Sequence, residues 1–419
     1  MPYNFLIASW GGAGHLGPTL TAARQLRTRG HGVRFIARPD ARAPVEAAGY
    51  RFATWKRTPR FSPLASRDDP LQIAYDELLF GPAAARAADT REEIEREPTD
   101  ALLTDIGLFG SALAAEAANI PCAFLSPTIS LRPLPGVPPL GSCMLPPRTS
   151  DERAAVEAAT GRFASLMNKW LPMLNEARAS QGLAALDHAF ELFDRPERHL
   201  LATSAAFDFP ADHLPRNVRY IGPLLDTSDW CEPWTSPWDP EADRPRALVS
   251  FSTTDQEQAG VLQRVVNAMG GIDIDGLVTT GPALDGVTLQ LPKNVLSLPN
   301  ASHDAVMNEA SLVVTHGGHG TSMRALSHGL PLLVMPMGRD QDDIALRVEA
   351  HNLGLTLPPT ASEAEIAAAL NRLIREPQFG AAARRLREAI AFDVKAERLV
   401  LEMEKIVLAS HDKFERAAQ

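Results

Sequence analysis

The segment Val313–Gly354, VVTHGGHGTSMRALSHGLPLLVMPMGRDQDDIALRVEAHNLG, decides how the chain folds. An apolar run, residues 312–314, ends at Thr315, as a buried strand of a parallel sheet does. Closely spaced glycines come next: Gly317, Gly318 and Gly320. A segment with helical periodicity, residues 321–328, follows them. This order leaves backbone N–H groups unpaired, with the positive end of the helix dipole behind them, and so predicts a phosphate site.

The same segment predicts polar side chains close to that site. A second apolar strand, residues 332–335, ends at Pro336, and the loop after it carries Asp340 and Gln341. Open α/β sheets bind ligands at the carboxyl ends of their strands, so this loop should lie at the binding edge. A carboxylate accepts hydrogen bonds from sugar hydroxyls, and an amide can both accept and donate.

The N-terminal residues predict a second unit of this kind. A βαβ unit is indicated by strand 5–9, glycine loop 11–17, helix 19–29 and strand 33–37. The spacing Gly12-x-Gly14-x-x-Gly17, followed by Asp40, fits the dinucleotide fingerprint of an NAD(P)-dependent oxidoreductase. His15 in the same loop supports a different interpretation. A helix N-terminus favours the neutral ring, which is then available as a base.

Asp105 is the predicted partner of His15. It follows the apolar strand 100–104, so its carboxylate should lie at the same sheet edge as His15. There it could accept a hydrogen bond from the second ring nitrogen and stabilise the imidazolium that forms. The alternative is that Asp105 caps the following helix, residues 110–119.

These motifs resemble the nucleotide-sugar signature of the family 1 glycosyltransferases, above all the bacterial branch that decorates natural products. The features that agree in order are Asn294-Val295, His303, His316-Gly317-Gly318-x-Gly320-Thr321, Gly329-x-Pro331, Asp340-Gln341 and Gly354. The resemblance implies the GT-B fold, in which two Rossmann-like α/β domains face each other across a cleft. The implied layout is an acceptor-binding domain (1–225), a linker (226–246), a nucleotide-sugar-binding domain (247–390) and a C-terminal helix (391–419) crossing back to the first domain.

The resemblance also implies a role for each candidate site residue. His15 would be the general base and Asp105 its partner. The donor would be held by Ser252, Thr253, His303, His316, the backbone at Gly318, Gly320 and Thr321, and the side chains of Asp340 and Gln341. In this set His316 and the glycine backbone hold the diphosphate, Asp340 and Gln341 the sugar, and His303 lies where the base is read.

The implied reaction is an inverting transfer, without metal or other cofactor, from a UDP- or dTDP-sugar to a hydroxyl of a small apolar acceptor. The acceptor is expected to be a small, largely apolar aglycone such as a polyketide, a phenol or a macrolide. The resemblance favours His15 as a base over the oxidoreductase interpretation, which leaves the segment 315–341 unexplained. A third hypothesis is a sugar epimerase or a non-catalytic nucleotide-sugar-binding protein of the same fold.

The chain departs from the family pattern at two places. Many members have a glutamate on the ribose hydroxyls eight residues after the signature histidine, where this chain has Arg324, which cannot accept a hydroxyl proton. No aromatic residue suited to stack on the base lies near His303. The choice between UDP and dTDP therefore stays open. The sequence Asp273-Ile274-Asp275 matches a metal-diphosphate motif of another glycosyltransferase fold, but we interpret it as a solvated turn.

Composition excludes several other classes of protein. A chain of 419 residues predicts two domains, and 45% hydrophobic residues supply their cores. The formal charge of −10 argues against nucleic acid as the main partner. Three separated cysteines suggest neither a disulfide framework nor a zinc site, and no apolar run is long enough to span a membrane. We expect a cytoplasmic enzyme, and a homodimer is compatible with all of this.

Overall fold

The computed structural model describes residues 1–59, 70–226, 234–239, 241–252 and 256–417. Two parallel β-sheets, one in each half of the chain, carry helices on their faces. Of the predicted linker 226–246, residues 227–233 and 240 lie outside the described residues. The two sheets confirm the predicted class of fold, α/β with two Rossmann-like domains.

Seven strands of the described chain form the first sheet, all parallel, in the order β3-β2-β1-β4-β5-β6-β7. The strands are β1 (Asn4–Ser9), β2 (Gly32–Ala37), β3 (Arg51–Thr54), β4 (Ala101–Asp105), β5 (Cys122–Ser126), β6 (Arg198–Leu201) and β7 (Val218–Tyr220). The helices of this half are α1 (Ala13–Thr28), α2 (Arg42–Ala47), α3 (Pro70–Ile73), α4 (Ala83–Arg96), α5 (Phe109–Ala117), α6 (Ser150–Asn168) and α7 (Leu171–Ser180). A π-helical turn, Ala74–Phe80, joins α3 to α4.

The second sheet has six described parallel strands in the order β10-β9-β8-β11-β12-β13. They are β8 (Arg246–Ser250), β9 (Asp275–Thr279), β10 (Val295–Leu298), β11 (Leu312–Thr315), β12 (Leu332–Val334) and β13 (Gly354–Thr356). The helices of this half are α8 (Ala259–Gly270), α9 (His303–Met307), α10 (His319–Ser327), α11 (Gln341–Ala350), α12 (Glu363–Arg375), α13 (Pro377–Lys395) and α14 (Arg398–Ala417).

The strand order determines at which point along each sheet a ligand is expected to bind. It reverses between β1 and β4 in the first sheet and between β8 and β11 in the second. At such a switch point the connections leave in opposite directions and open a crevice at the carboxyl ends of the strands. Each of these strands ends close to a residue predicted to bind or react: His15, Asp105, Ser252 and His316.

Helix α14 packs against the first sheet, as the predicted fold requires. Its apolar face enters the core around β1 and β4: Leu399, Val400, Met403, Ile406 and Val407 are each at most 1% exposed. Glu397, with φ of 44°, separates α13 from α14, because a left-handed residue cannot continue a right-handed helix.

Two other helix boundaries concern the first half of the chain. Residues 150–180 form two helices and not one, because Pro172 at the start of α7 has no N–H to continue the ladder of α6. Helix α1 begins at Ala13 and not at Thr19. Gly14 and Gly17 are therefore helical residues, and the turn after β1 is shorter than the predicted glycine loop.

Candidate active site

His15 and Asp105 lie together at the switch point of the first sheet. His15 is in the first turn of α1 and Asp105 ends β4, the strand beside β1. The distance from His15 Nδ1 to Asp105 Oδ2 is 3.5 Å, with the His15 side chain 34% exposed and the Asp105 side chain fully buried. This distance is long for a strong hydrogen bond. Catalytic contacts are often long without substrate and shorten in the complex.

The Asp105 carboxylate is held from the end of β1. Its Oδ2 accepts hydrogen bonds from Ser9 Oγ and from the Trp10 backbone N–H, both at 2.9 Å. Asp105 Oδ1 and His15 Nδ1 are buried, and neither has a hydrogen-bond partner among the described atoms. A small rotation of the ring would pair Nδ1–H with the carboxylate and leave Nε2 free to take a proton.

The geometry does not favour a dinucleotide site at the first glycine motif. Gly14 and Gly17 are inside α1, so they do not form the tight turn that brings a backbone close to a pyrophosphate. Asp40, the predicted ribose ligand, pairs with Arg38 at 3.0 Å between its Oδ2 and an Nη2 nitrogen.

The turn between β11 and α10 has the form predicted for a diphosphate site. Gly317 has φ of 91°, and a Cβ there would lie 2.9 Å from Val334, so the position requires glycine. Gly318 precedes α10 and offers no side-chain cap to the first N–H groups of the helix. The chain thereby presents the N–H groups around Gly320 and Thr321 and the positive end of the helix.

The His316 ring covers this turn. A Cβ on Gly318 would lie 2.6 Å from His316 Nε2, so the glycine is what makes room for the ring. Burial lowers the pKa of His316 to about 4, and the nearby charges of Asp340 and Arg339 act in opposite directions. The ring is therefore neutral at pH 7, and it can donate one hydrogen bond without carrying a charge.

His319 is a site residue that the sequence reasoning did not single out. It is the first residue of α10, it is 7% exposed, and its ring interacts with the backbone carbonyl of Pro127 from the first half of the chain. Its Nε2 and the hydroxyl of Ser322 are buried without a partner among the described atoms. Its position between Gly318 and Gly320 could have identified it from the sequence as a candidate site residue.

Asp340 and Gln341 are placed differently from each other. Asp340 Oδ2 accepts a hydrogen bond of 2.7 Å from the hydroxyl of Thr128, which follows β5 on the opposite side of the cleft. Gln341 is 2% exposed, and its amide is used within its own half of the chain. It accepts from the Met337 N–H at 2.7 Å and donates to Gln256 Oε1 at 2.9 Å.

His303 and Ser252 lie at the carboxyl ends of β8 and β9. His303 Nε2 is 3.2 Å from Thr279 Oγ1 and 3.4 Å from Ser250 Oγ. Burial first, and then the Arg324 cation, lower the pKa of His303 to about 4. Ser252 is buried, and its carbonyl accepts from Gln258 Nε2 at 2.7 Å. Thr253 lies outside the described residues.

Arg324 forms ion pairs where many family members carry a glutamate. Its guanidinium contacts the carboxylates of Asp304 and Asp226 and donates to the Asp226 carbonyl at 3.0 Å. Burial raises the pKa of Asp304, but hydrogen bonds and charge from His328 and Arg324 outweigh it and lower that pKa to about 2. Residue 324 therefore cannot accept a hydrogen bond from a ribose hydroxyl, and the two carboxylates beside it are already paired with its guanidinium.

Asp273 and Asp275 are paired with an arginine. Arg244 Nε lies 2.6 Å from Asp273 Oδ1, and Arg244 Nη1 lies 2.8 Å from Asp275 Oδ1. Among the described residues no cluster of three or more histidine, cysteine or acidic side chains could hold a metal ion. No helix in the same residues is both long and apolar enough to cross a membrane.

Comparison with known proteins identifies the class of protein. Residues 263–406 match the family described as erythromycin biosynthesis protein CIII-like, C-terminal domain. The chain is 28% identical over 412 residues to 4'-demethylrebeccamycin synthase of Lentzea aerocolonigenes, covering 93% of this chain and 96% of that protein. It is 24% identical to the demethyllactenocin mycarosyltransferase of Streptomyces fradiae, covering 84% of this chain and 75% of the relative.

Solved structures share the whole architecture. The calicheamicin glycosyltransferase CalG4 superposes with a TM-score of 0.76 at 21% identity, covering 97% of this chain and 98% of that one. The glycosyltransferase VinC in complex with dTDP superposes with a TM-score of 0.65 at 19% identity, covering 96% and 100%. At these identities the two structures establish the fold.

The protein is a glycosyltransferase with the GT-B fold. The relatives and structural neighbours reported above are bacterial natural-product glycosyltransferases, and residues 263–406 match the C-terminal domain of one such type. The resemblance drawn from the sequence is thus confirmed, while the roles of the individual site residues remain predictions.

Proposed function

We propose that the enzyme transfers a sugar, with inversion and without a metal, from a UDP- or dTDP-sugar to a hydroxyl of a small apolar natural product. The observation that supports this most is the meeting of two sheet edges. One edge carries His15 and Asp105, and the other carries the α10 N-terminus. The Thr128–Asp340 hydrogen bond of 2.7 Å joins the two sides of the cleft.

The first step of the proposed reaction is proton removal by His15. Its Nε2 takes the proton of the acceptor hydroxyl as the oxygen attacks the anomeric carbon. The ring becomes an imidazolium, and the buried carboxylate of Asp105 stabilises that charge through the Nδ1 side. Attack from the face opposite the leaving group inverts the anomeric configuration.

The second part is stabilisation of the leaving diphosphate. The N–H groups at Gly318, Gly320 and Thr321 and the dipole of α10 point at the place where negative charge develops. Neutral His316 adds a hydrogen bond to the same group. Fixed dipoles of this kind do the work that a divalent metal does in other transferases, so we propose that no metal is needed.

The sugar and the nucleoside would lie on either side of the diphosphate. Asp340 presents a carboxylate to the sugar hydroxyls, and Gln341 can bind the sugar by exchanging its bond to Gln256 for a hydroxyl. The nucleobase would approach His303, and the phosphate end would also reach Ser252. Arg324 lies where many family members have a glutamate that accepts from the ribose hydroxyls. Because dTDP lacks the 2′-hydroxyl, a dTDP-sugar is the first donor to test and a UDP-sugar the second.

Ligand-induced stabilisation tests the donor site directly. We expect UDP or dTDP to raise the Tm of the wild type by mass action, and His316→Ala to lose most of that rise. NAD should give no shift in either protein. Stabilisation by NAD alone, unaffected by His316→Ala, would support the oxidoreductase hypothesis and overturn this proposal. Conversion of the nucleotide-sugar at full rate without any acceptor would instead indicate an epimerase.

A further inference from the structure

Arg86 is a buried cation close to the proposed base. It is in the first turn of α4 and is only 2% exposed. Its guanidinium carbon lies 4.6 Å from the centre of the Trp10 ring and 5.5 Å from the centre of the Trp55 ring. Two tryptophans thus enclose a charged group that has been taken out of water.

Among the described residues, Arg86 differs from the other buried arginines because it has no carboxylate partner. Each of the others in the described residues forms an ion pair with an acid: Arg34 with Glu93, Arg178 with Glu116, Arg347 with Asp208, and Arg324 with Asp226 and Asp304. The guanidinium of Arg86 donates to the Leu78 carbonyl, while its Nε has no hydrogen-bond partner. The indole N–H of Trp55 is also buried and unpartnered.

The charge around Arg86 is unbalanced. Burial, and then the neighbouring cation of Arg38, lower the pKa of Arg86 to about 9. The group still carries its proton at pH 7, so a positive charge remains in a poorly solvated place. Such a charge is costly unless an anion neutralises it, and the structure supplies none from the described residues.

The position of Arg86 relates it to the acceptor side of the cleft. Trp10 follows β1, and its backbone N–H holds the Asp105 carboxylate. The centre of the Trp10 ring lies 6.3 Å from the centre of the His15 ring. The Trp10 indole therefore neighbours both the base and the unpaired cation, so an aromatic acceptor packed along it would have one end near each group.

We propose that Arg86 binds an acidic group, a carboxylate or a similarly acidic hydroxyl, on the acceptor whose nucleophilic hydroxyl faces His15. This inference rests on the proposed function and narrows its acceptor class. The acid would complete the ion pair that the protein leaves open, and the guanidinium fork suits a carboxylate well. Trp10 would lie against the flat ring system between the two groups. Arg86 is then a specificity-determining residue for acidic aromatic acceptors.

The competing explanation is that Arg86 only supports Trp10 through a cation–π contact. That role requires a positive charge against the Trp10 ring, but it would not make the affinity for an acceptor depend on the charge of the acceptor. The two explanations therefore differ in one measurable quantity, the preference for an acidic acceptor over a neutral one of the same shape.

Calorimetric binding of 6-hydroxy-2-naphthoate and 6-hydroxy-2-naphthamide at pH 7, without donor, measures that preference. We expect the naphthoate to bind the wild type at least about tenfold more tightly, the size of one charge-assisted hydrogen bond. Arg86→Met should abolish the preference and leave naphthamide binding unchanged, and Arg86→Lys should restore part of it. Arg42→Met is the matched control, because Arg42 lies over the Phe52 ring at 4.7 Å on the exposed helix α2.

Equal affinity of the two compounds for the wild type, or no binding of the naphthoate at millimolar concentration, overturns the inference. The wild-type comparison decides the matter even if Arg86→Met does not fold. A transfer assay with dTDP- and UDP-sugars separates this outcome from failure of the proposed function. Sugar transfer to both compounds at equal KM contradicts the role of Arg86 alone. A naphthoate preference without any transfer contradicts the transferase reaction alone.

Discussion

Replacing Asp105 by asparagine is the most direct test of the proposal that Asp105 assists His15 as the general base. The asparagine oxygen can still accept from Ser9 and from the Trp10 N–H, so the loop should keep its conformation. The charge that stabilises the His15 imidazolium is lost. At 3.5 Å, and with an effective dielectric constant between about 20 and 40 because His15 is one-third exposed, that interaction amounts to about 2 to 5 kcal/mol.

The loss should appear in kcat. His15 is neutral when the substrates bind and becomes charged only as the proton moves, so Asp105 stabilises the transition state and not the bound substrates. At about 1.4 kcal/mol for each factor of ten, we expect kcat to fall by roughly 30-fold to several thousandfold with little change in KM. Steady-state kinetics of sugar transfer measures both constants.

Asp40→Asn is the matched control for this experiment. Asp40 is an exposed carboxylate beyond the end of β2, and it pairs with Arg38. Its loss should leave kcat unchanged. If Asp105→Asn stays within threefold of the wild type while His15→Ala is inactive, the carboxylate has no part in stabilising the charged ring, and our reasoning is refuted.

Three further predictions follow from other parts of the structure. His316→Ala should weaken nucleotide binding by about tenfold or more, seen by calorimetry with dTDP, because a charge-assisted hydrogen bond to the diphosphate is lost. Thr128→Val should raise the donor KM, and Thr128→Ser should restore it, because only the hydroxyl holds Asp340 at 2.7 Å. Burial lowers the pKa of His199 to about 3 from 6.5, so the unfolded state gains this proton first and stability falls as pH drops from 6.5 towards 3. Between pH 7 and pH 5, His199 should lower the free energy of unfolding by about 2 kcal/mol. Urea unfolding at the two pH values measures this loss, and it should be absent in His199→Asn. An equal loss in both proteins would contradict the prediction.

The backbone plan of the site could be predicted from the sequence because it follows from local patterns. Apolar runs that end at Ser9, Asp105 and Thr315 give strands, and a strand's last residue lies at the carboxyl edge of its sheet. The order of the parallel strands then brings such edges together at a switch point. The closeness of His15 and Asp105 thus follows from the sequence pattern alone.

The side-chain pairings could not be predicted in this way. Gln341 is bonded to Gln256, 85 residues away, and Thr128 to Asp340, 212 residues away. No periodicity in the sequence relates residues at such separations, because the contacts depend on how two sheets and their loops pack. The lack of an acidic partner for Arg86 could not be predicted either. It depends on the packing that keeps every acidic side chain in the described residues too far away to pair with it.

The polar contacts across the cleft give the enzyme a physical reason to couple its two substrates. Thr128 and Gly141, both in the segment that follows β5, bond to Asp340 and Asp343 at the start of α11, at 2.7 and 2.8 Å. The segment belongs to the half of the chain proposed to bind the acceptor, and Asp340 is the proposed sugar ligand. If both roles hold, an acceptor that shifts this segment changes the orientation of the Asp340 carboxylate and so of the proposed sugar ligand. Because binding free energies are reciprocal, the donor then changes the affinity for the acceptor by the same factor.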